Sequence, residues 1–395
     1  MDKGHVSGKS GEIPPFMVMD AMEKAKLMER AGENIVHLEI GEPDLDTPDV
    51  IKRAGVAAIN EGRTKYTHSL GLIELREAIC WRMKKEYGVT VGPDRVLVST
   101  GSSAALFLAL AAVIDPGDEV ILSDPCYACY PNFITFLGGK PVHVPVREDD
   151  GFQFSAKSIS EKITPRTRAI LINSPSNPTG TLLDAAAMRE IASLGPLVIS
   201  DEIYHGMVYE GRADTILNHT DNAIVIDGFS KRHAMTGWRL GHAIVPERLL
   251  RPMQKMQQNF YISACSFSQW AGVAAIRHGD ESLAMMRDTF NKRRRFLLER
   301  LGEIGLAPKC EPKGAFYAFV NVSRYSRDSA AFADEILEKA KVAVTPGIDF
   351  GPGGEGFIRL SYANSEERIG EGITRLKAFL DEYNHRATEA RRKKY

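Results

Sequence analysis

Lys231 follows the apolar run Ala223-Ile224-Val225-Ile226, within Gly228-Phe229-Ser230-Lys231-Arg232, and Arg239 comes shortly after. A strand that ends in Ser-Lys brings an amine to the sheet edge where ligands gather in open α/β proteins. The planar fork of Arg239 suits phosphate oxygens. An amine beside an anion-binding group suits condensation with a phosphorylated aldehyde. That amine must lose its proton to act as nucleophile or base, and a cleft with neighbouring cations shifts its basicity in that direction. A lysine alone is more commonly a solvated surface charge; its place after an apolar strand sets this one apart.

Other residues of chemical interest recur at the same kind of position. Asp201 closes the apolar run Leu197-Val198-Ile199-Ser200-Asp201, with Tyr204 three residues on. Its carboxylate either caps the following turn or faces a ligand. Asn177 sits in Asn173-Ser174-Pro175-Ser176-Asn177-Pro178-Thr179-Gly180, where flanking prolines stiffen the loop. Thr100-Gly101-Ser102-Ser103-Ala104 reads as a helix start, whose free N–H groups and dipole favour an anion, although the same residues are ordinary capping chemistry. Arg359 interrupts the apolar strand Phe357–Tyr362. A buried guanidinium is costly without a carboxylate, so it needs either a structural salt bridge or an acidic ligand.

The elements that must carry these residues are legible as alternating strands and helices. Strands are predicted at Val96–Ser99, Val120–Ser123, Val142–Val146, Ala169–Asn173, Leu197–Asp201, Ala223–Asp227 and His242–Val245, the last with an antiparallel option. Helices fall at Ser102–Val113, Asp184–Leu194 and Glu247–Gln257. Short β-branched runs between helices imply an α/β fold, with a mostly parallel seven-stranded sheet covered on both faces. A long helical region from Ala264 to Gly302 leads into a smaller α+β part. There the expected order is strand Ala315–Asn321, helix Ser329–Ala340, strands Val342–Thr345 and Phe357–Tyr362, and helix Ser365–Tyr383. At the other end, residues 1–15 read as an extended arm and Phe16–Ala31 as a helix. Asp46-Thr47-Pro48 reads as a helix start capped by a side-chain oxygen. The division expected is 1–45 as arm and part of a small domain, 46–290 as the large domain and 291–395 as the small domain.

Asn173–Gly180, Ser200–Tyr204 and Ser230–Gly241, in that order, resemble the class I aminotransferases, pyridoxal-phosphate enzymes of the aspartate aminotransferase fold. The resemblance runs from about Gly41 to Tyr362. It implies the fold type I of pyridoxal-phosphate-dependent transferases, with residues 1–45 folded back onto the small domain. It further implies that Lys231 holds the cofactor as a Schiff base and then moves the proton at the substrate Cα. Asp201 would pair with the pyridine nitrogen, keeping the ring able to absorb electrons. Tyr204 and Asn177 would contact the phenolic oxygen, and Tyr127 would stack on the ring. Ser102, Ser103, Ser230 and Arg239 would hold the phosphate. Tyr66 resembles the tyrosine that reaches the phosphate of a neighbouring subunit, which implies a homodimer with shared active sites. Arg359 would grip the substrate α-carboxylate, with the Gly41 backbone and Asn177 close by.

The substrate follows less directly. Bacterial aspartate aminotransferases of this kind often carry a lysine where this chain has Ser103, and residues 258–268 contain neither Lys nor Arg. A dicarboxylate needs a cation or several donors at its far end. The expectation is therefore a neutral or apolar L-amino acid as donor, with 2-oxoglutarate or pyruvate as acceptor, in ping-pong transamination. Aspartate aminotransferase proper and a carbon–sulfur β-lyase on the same fold are the alternatives.

Composition narrows the remaining classes. A formal net charge of −1 gives no general attraction to nucleic acid or anionic membranes. The longest apolar run, Ala104 to Ile114, is far shorter than the ~20 residues a bilayer requires. With no visible targeting signal, the cytoplasm is the expected location. A ligand-sensing regulator would need an added DNA-binding module, for which the arm is too short. Cys126 and Cys129 spell C-x-x-C without a second pair, so no metal site is expected. Gly351-Pro352-Gly353-Gly354-Glu355-Gly356 spells G-x-G-x-x-G but precedes a strand rather than following one, which argues against dinucleotide binding. The basic stretch His385–Tyr395 reads as a solvated, frayed end.

Overall fold

Non-alternating aliphatic runs make strands buried on both faces. Leu197–Asp201 and Ala223–Gly228 are buried throughout, and they form the middle of a seven-stranded sheet. The computed structural model describes residues 7–392, with side chains as far as Arg386. The strand order is Val96–Ser99, Gly241–Ile244, Ala223–Gly228, Leu197–Asp201, Thr167–Asn173, Glu119–Asp124 and Lys140–Pro145. Gly241–Ile244 runs antiparallel to both neighbours, and every other pairing is parallel. Successive residues of a strand point to opposite faces. Val198 and Val225 accordingly pack with Ile51, Leu75 and Ile79 on one side. Ile199 and Ile224 pack with Leu106, Leu110 and Met253 on the other.

A second core gathers Val36, Leu38, Phe290, Leu297, Phe316, Val320, Leu360 and Leu376, and it reaches Ile203, Tyr204 and Met207 from the large sheet's edge. Its antiparallel sheet has the order Thr345–Pro346, Phe357–Ser361, Tyr317–Asn321. The single strand expected at Val342–Thr345 is split. Val342–Ala343 pairs in parallel with Val36–His37, whereas Thr345 faces Arg359.

Four other local expectations are corrected. The helix Asp49–Asn60 starts at Pro48 with no side-chain cap, because the Thr47 hydroxyl donates instead to the Ala234 carbonyl at 2.5 Å. The helical region from Ala264 is two helices, Ser266–His278 and Asp280–Glu303, that meet at Gly279. A Cβ on Gly279 would lie 2.4 Å from the Ala275 carbonyl oxygen and 3.0 Å from His233 Nδ1, so the junction takes glycine. Within the arm, Gly8–Gly11 form one helical turn, and the final helix runs from Glu366 to Arg392 rather than ending near Tyr383. Residues 1–6 of the arm and 393–395 of the tail lie outside the described residues.

Candidate active site

Parallel strands present their carboxyl ends along one edge, and that edge opens into a cavity of about 290 Å³. Eleven of the twelve site residues expected from the sequence line it, the exception being Tyr66. Lys231 comes three residues after Ala223–Gly228 and donates from Nζ to the Gly41 carbonyl at 2.5 Å. Burial pushes its amine down to about 8; Glu42 opposes that shift, while Arg359 and Arg239 assist it. A free amine is therefore within reach near neutral pH.

One corner of the cavity is built for an anion. Gly101 precedes the helix Ser102–Ala111 at φ 83°, a conformation that favours glycine. A Cβ there would lie 2.6 Å from Arg239 Nη2. No side chain caps this helix start, which leaves its first N–H groups open, and Ser103 is exposed beside it. Arg239 also has a positive φ, and its Nη1 donates to the Thr236 carbonyl at 3.0 Å. Ser230 is buried next to Lys231.

Asp201 occupies the far side. Its Oδ2 accepts from the Tyr130 hydroxyl at 2.7 Å and its Oδ1 from the Ile203 N–H at 3.2 Å. Burial nevertheless pushes this carboxyl up to about 6, with Asp227 adding to the shift and Lys231 opposing it. The site thus holds a carboxylate short of positive charge. Tyr204 and Tyr317 share a hydroxyl–hydroxyl hydrogen bond of 2.8 Å. The Tyr127 ring meets Tyr130 and Phe16 edge-on, with centroids 5.3 Å and 5.9 Å away.

Arg359 is 3% exposed and forms the opposite wall. It donates to Asn177 Oδ1 at 2.9 Å, to the Glu39 carbonyl at 2.5 Å and to Thr345 Oγ1 at 3.1 Å. These partners are an amide, a carbonyl and a hydroxyl, and among the described residues it has no carboxylate partner. Its Nε has none at all. The bland alternative of a structural salt bridge is thereby removed. Tyr317 and Phe350 face the guanidinium with ring centroids at 4.2 Å and 5.0 Å. A Cβ on Gly41 would lie 2.0 Å from the Tyr317 hydroxyl, so only glycine lets the backbone pass there.

Tyr66 is 82% exposed and apart from the cavity. Sequence reasoning missed Tyr130, Tyr317 and the apolar lining Phe16, Val18, Met19, Ile40 and Leu106. For Tyr130 a signal existed: it follows Tyr127 by one helical turn, at a strand end that already carried a site residue. For Tyr317 and the apolar residues, nothing separates them from core by type.

This combination of sheet, strand-end lysine and carboxylate-free arginine defines a known class. Residues 33–376 match the aminotransferase class I and II family, and the chain belongs to it. A curated relative, the (5-formylfuran-3-yl)methyl phosphate transaminase of Methanocaldococcus jannaschii, is 42% identical over 93% of this chain and 97% of its own length. Among solved structures, Thermus thermophilus aspartate aminotransferase with maleate superimposes with a TM-score of 0.91. It is 34% identical, covering 95% of this chain and 99% of that one. A Methanococcus jannaschii protein, described as similar in its active site to kynurenine aminotransferases, gives 0.88 at 42% identity, covering 95% and 100%.

The protein is accordingly an aminotransferase, and enzymes of this family and fold use pyridoxal 5′-phosphate. The cavity fits that group on its own chemistry. It offers an amine of lowered basicity, an anion corner floored by Gly101, and a buried carboxylate short of a cation. Among the described residues no helix is long and apolar enough to cross a membrane.

Proposed function

We propose that the enzyme moves the amino group of a neutral or apolar L-amino acid, aromatic ones included, to a 2-oxo acid such as 2-oxoglutarate or pyruvate. The observation that carries this reading is the cavity lining. Beyond Lys231, Arg239 and Arg359, each of which has a task common to all donors, no cation among the described residues lines the cavity. The wall available to a substrate side chain is Phe16, Val18, Met19, Ile40 and Leu106. An apolar side chain gains by burial there, whereas a second carboxylate would be desolvated without a partner. The solved structure described as similar in its active site to kynurenine aminotransferases is consistent with an aromatic donor. The resemblance to an aspartate aminotransferase favours aspartate as a second reading.

In this reading Ser102, Ser103, Ser230 and Arg239 hold the phosphate, Tyr127 packs on the ring, and Tyr204 and the Asn177 amide nitrogen face the phenolic oxygen. Bound pyridoxal phosphate supplies an electron sink that acidifies the substrate Cα–H. Asp201 keeps the ring nitrogen cationic, an arrangement that relieves its own burial. Arg359 binds the α-carboxylate of donor and acceptor alike, so one pocket serves both halves of the exchange. Lys231 Nζ would take the proton from the donor Cα in the first half of the exchange and deliver one to the acceptor Cα in the second. A homodimer completes the site, with Tyr66 reaching the phosphate of the partner subunit; its exposure leaves it available for that. The test is a panel of donors against 2-oxoglutarate and pyruvate. Phenylalanine, methionine and alanine should outperform aspartate in kcat/KM, and an aspartate preference would overturn the substrate assignment.

A further inference from the structure

The segment Gly347–Gly354, which includes most of the glycine run set aside as a dinucleotide motif, touches several walls of the cavity. Gly353 N–H donates to Asp124 Oδ1 at 2.8 Å, and the Phe350 carbonyl accepts from Cys126 N–H at 2.9 Å, next to Tyr127. The Phe350 ring packs on Arg359. A further contact belongs to Asp349, whose Oδ1 accepts the Met17 N–H at 3.0 Å from the far end of the chain.

Met17 opens the helix Met17–Arg30, and its N-cap position is Phe16, which has no side-chain oxygen to give. A helix start leaves N–H groups unsatisfied, and a carboxylate beside it complements the dipole. Asp349 supplies both from another element. The later part of the helix is anchored separately: Ala25 packs with Ile35, Leu337 and Ala343, and Lys24 pairs with Asp334 and Glu338. The first turn has much less: Met19 is 42% exposed, and the buried apolar residue there is Val18. This turn supplies Phe16, Val18 and Met19 to the cavity.

We infer that Asp349 is a positioning residue that holds the first turn of this helix against the cavity and so sets which donor side chains the site accepts. The inference rests on the proposed reading of Phe16, Val18 and Met19 as the side-chain wall. Asp349 also lies within the field of Arg359 without pairing with it, but an effect on the α-carboxylate is common to every donor and cancels in a ratio of donors.

The test uses holoenzyme and steady-state turnover with phenylalanine and with alanine, whose methyl group is too short to need the wall. Asp349→Ala is expected to lower the phenylalanine-to-alanine ratio of kcat/KM about tenfold, mainly through KM, as loss of a helix cap permits. Asp349→Asn keeps an acceptor oxygen and should restore most of that ratio. Met17→Pro removes the N–H while proline is tolerated at the first helical position. It should lower the same ratio, and the double variant should fall no further, because both changes break one contact. Equal losses for both donors, an unchanged ratio or fully additive effects would overturn the inference. Hydrogen exchange at Val18 and Met19 decides the positioning role apart from the substrate assignment. Protection lost in Asp349→Ala supports it even if aspartate proves the better donor, and unchanged protection refutes it.

Discussion

The cavity has two sides, and they are made differently. On the cofactor side, Asp201, Lys231, Tyr127 and the Ser102 helix start all sit at the end of, or just beyond, a strand of the large sheet. Their spacing is set by parallel strands whose registers are fixed by burial on both faces. On the facing side, Phe16, Ile40, Gly41, Tyr317 and Arg359 come from segments far apart in sequence that meet beside the second core. The first side carries an amine and a carboxyl with shifted titrations; the second is mostly apolar, with the Arg359 guanidinium and the Tyr317 hydroxyl as its polar groups. The comparison teaches that one wall takes its residues from neighbouring strand ends of a single sheet, whereas the other exists only once segments distant in sequence have packed together.

The contrast can be broken at several points. Lys231→Ala should remove transamination by roughly a thousandfold or more while leaving the fold intact, measured by turnover and by loss of the bound-cofactor absorbance. Retained turnover would end the assignment of the cofactor side. Arg359→Ala should cost roughly a hundredfold in kcat/KM with every donor, since it removes the charged partner of a shared carboxylate. A loss confined to some donors would mean that this arginine belongs to the side-chain wall. Ser103→Lys should raise the aspartate-to-phenylalanine ratio about tenfold by adding a cation, which steady-state kinetics would show.

A smaller effect concerns stability. Asp201 has its folded-state carboxyl raised to about 6, above the unfolded value of roughly 4. The folded form therefore binds that proton more tightly, and the contribution of this group to stability falls as pH rises from about 4 to 6. In cofactor-free protein, Asp201→Asn should raise Tm by a few degrees at pH 7.5, and the gain should vanish as pH drops below about 4. A constant difference across that range would show that burial of the charge is not the cause. Smallest of all, Tyr66→Phe should weaken cofactor retention a few-fold by removing one phosphate hydrogen bond. Mixed dimers with Lys231→Ala should regain some activity if the sites are shared, and dialysis with absorbance readout checks the first part.

Much of the sheet was legible because its strands are unbroken aliphatic runs between helices, and such runs have few other ways to be buried. The strand ends then marked Asp201 and Lys231, and the order of three motifs carried the family. Local propensity failed where a tertiary partner competed. Thr47 reads as a cap until the Ala234 carbonyl takes its hydroxyl, and the break at Gly279 depends on Ala275 and His233 lying against it. Likewise Val342 and Thr345 look like one strand, yet they pair with different partners.

The sequence by itself determined the sheet, its chemical edge and the need of Arg359 for an anion, because strand burial and residue type are local properties. Only the tertiary structure decided that this guanidinium has no carboxylate among the described residues and that Tyr130 supports Asp201. It also brought Phe16, Val18 and Met19 to the cavity and the Met17 N–H to Asp349. Those outcomes depend on contacts between residues hundreds of positions apart, which periodicity and spacing do not encode.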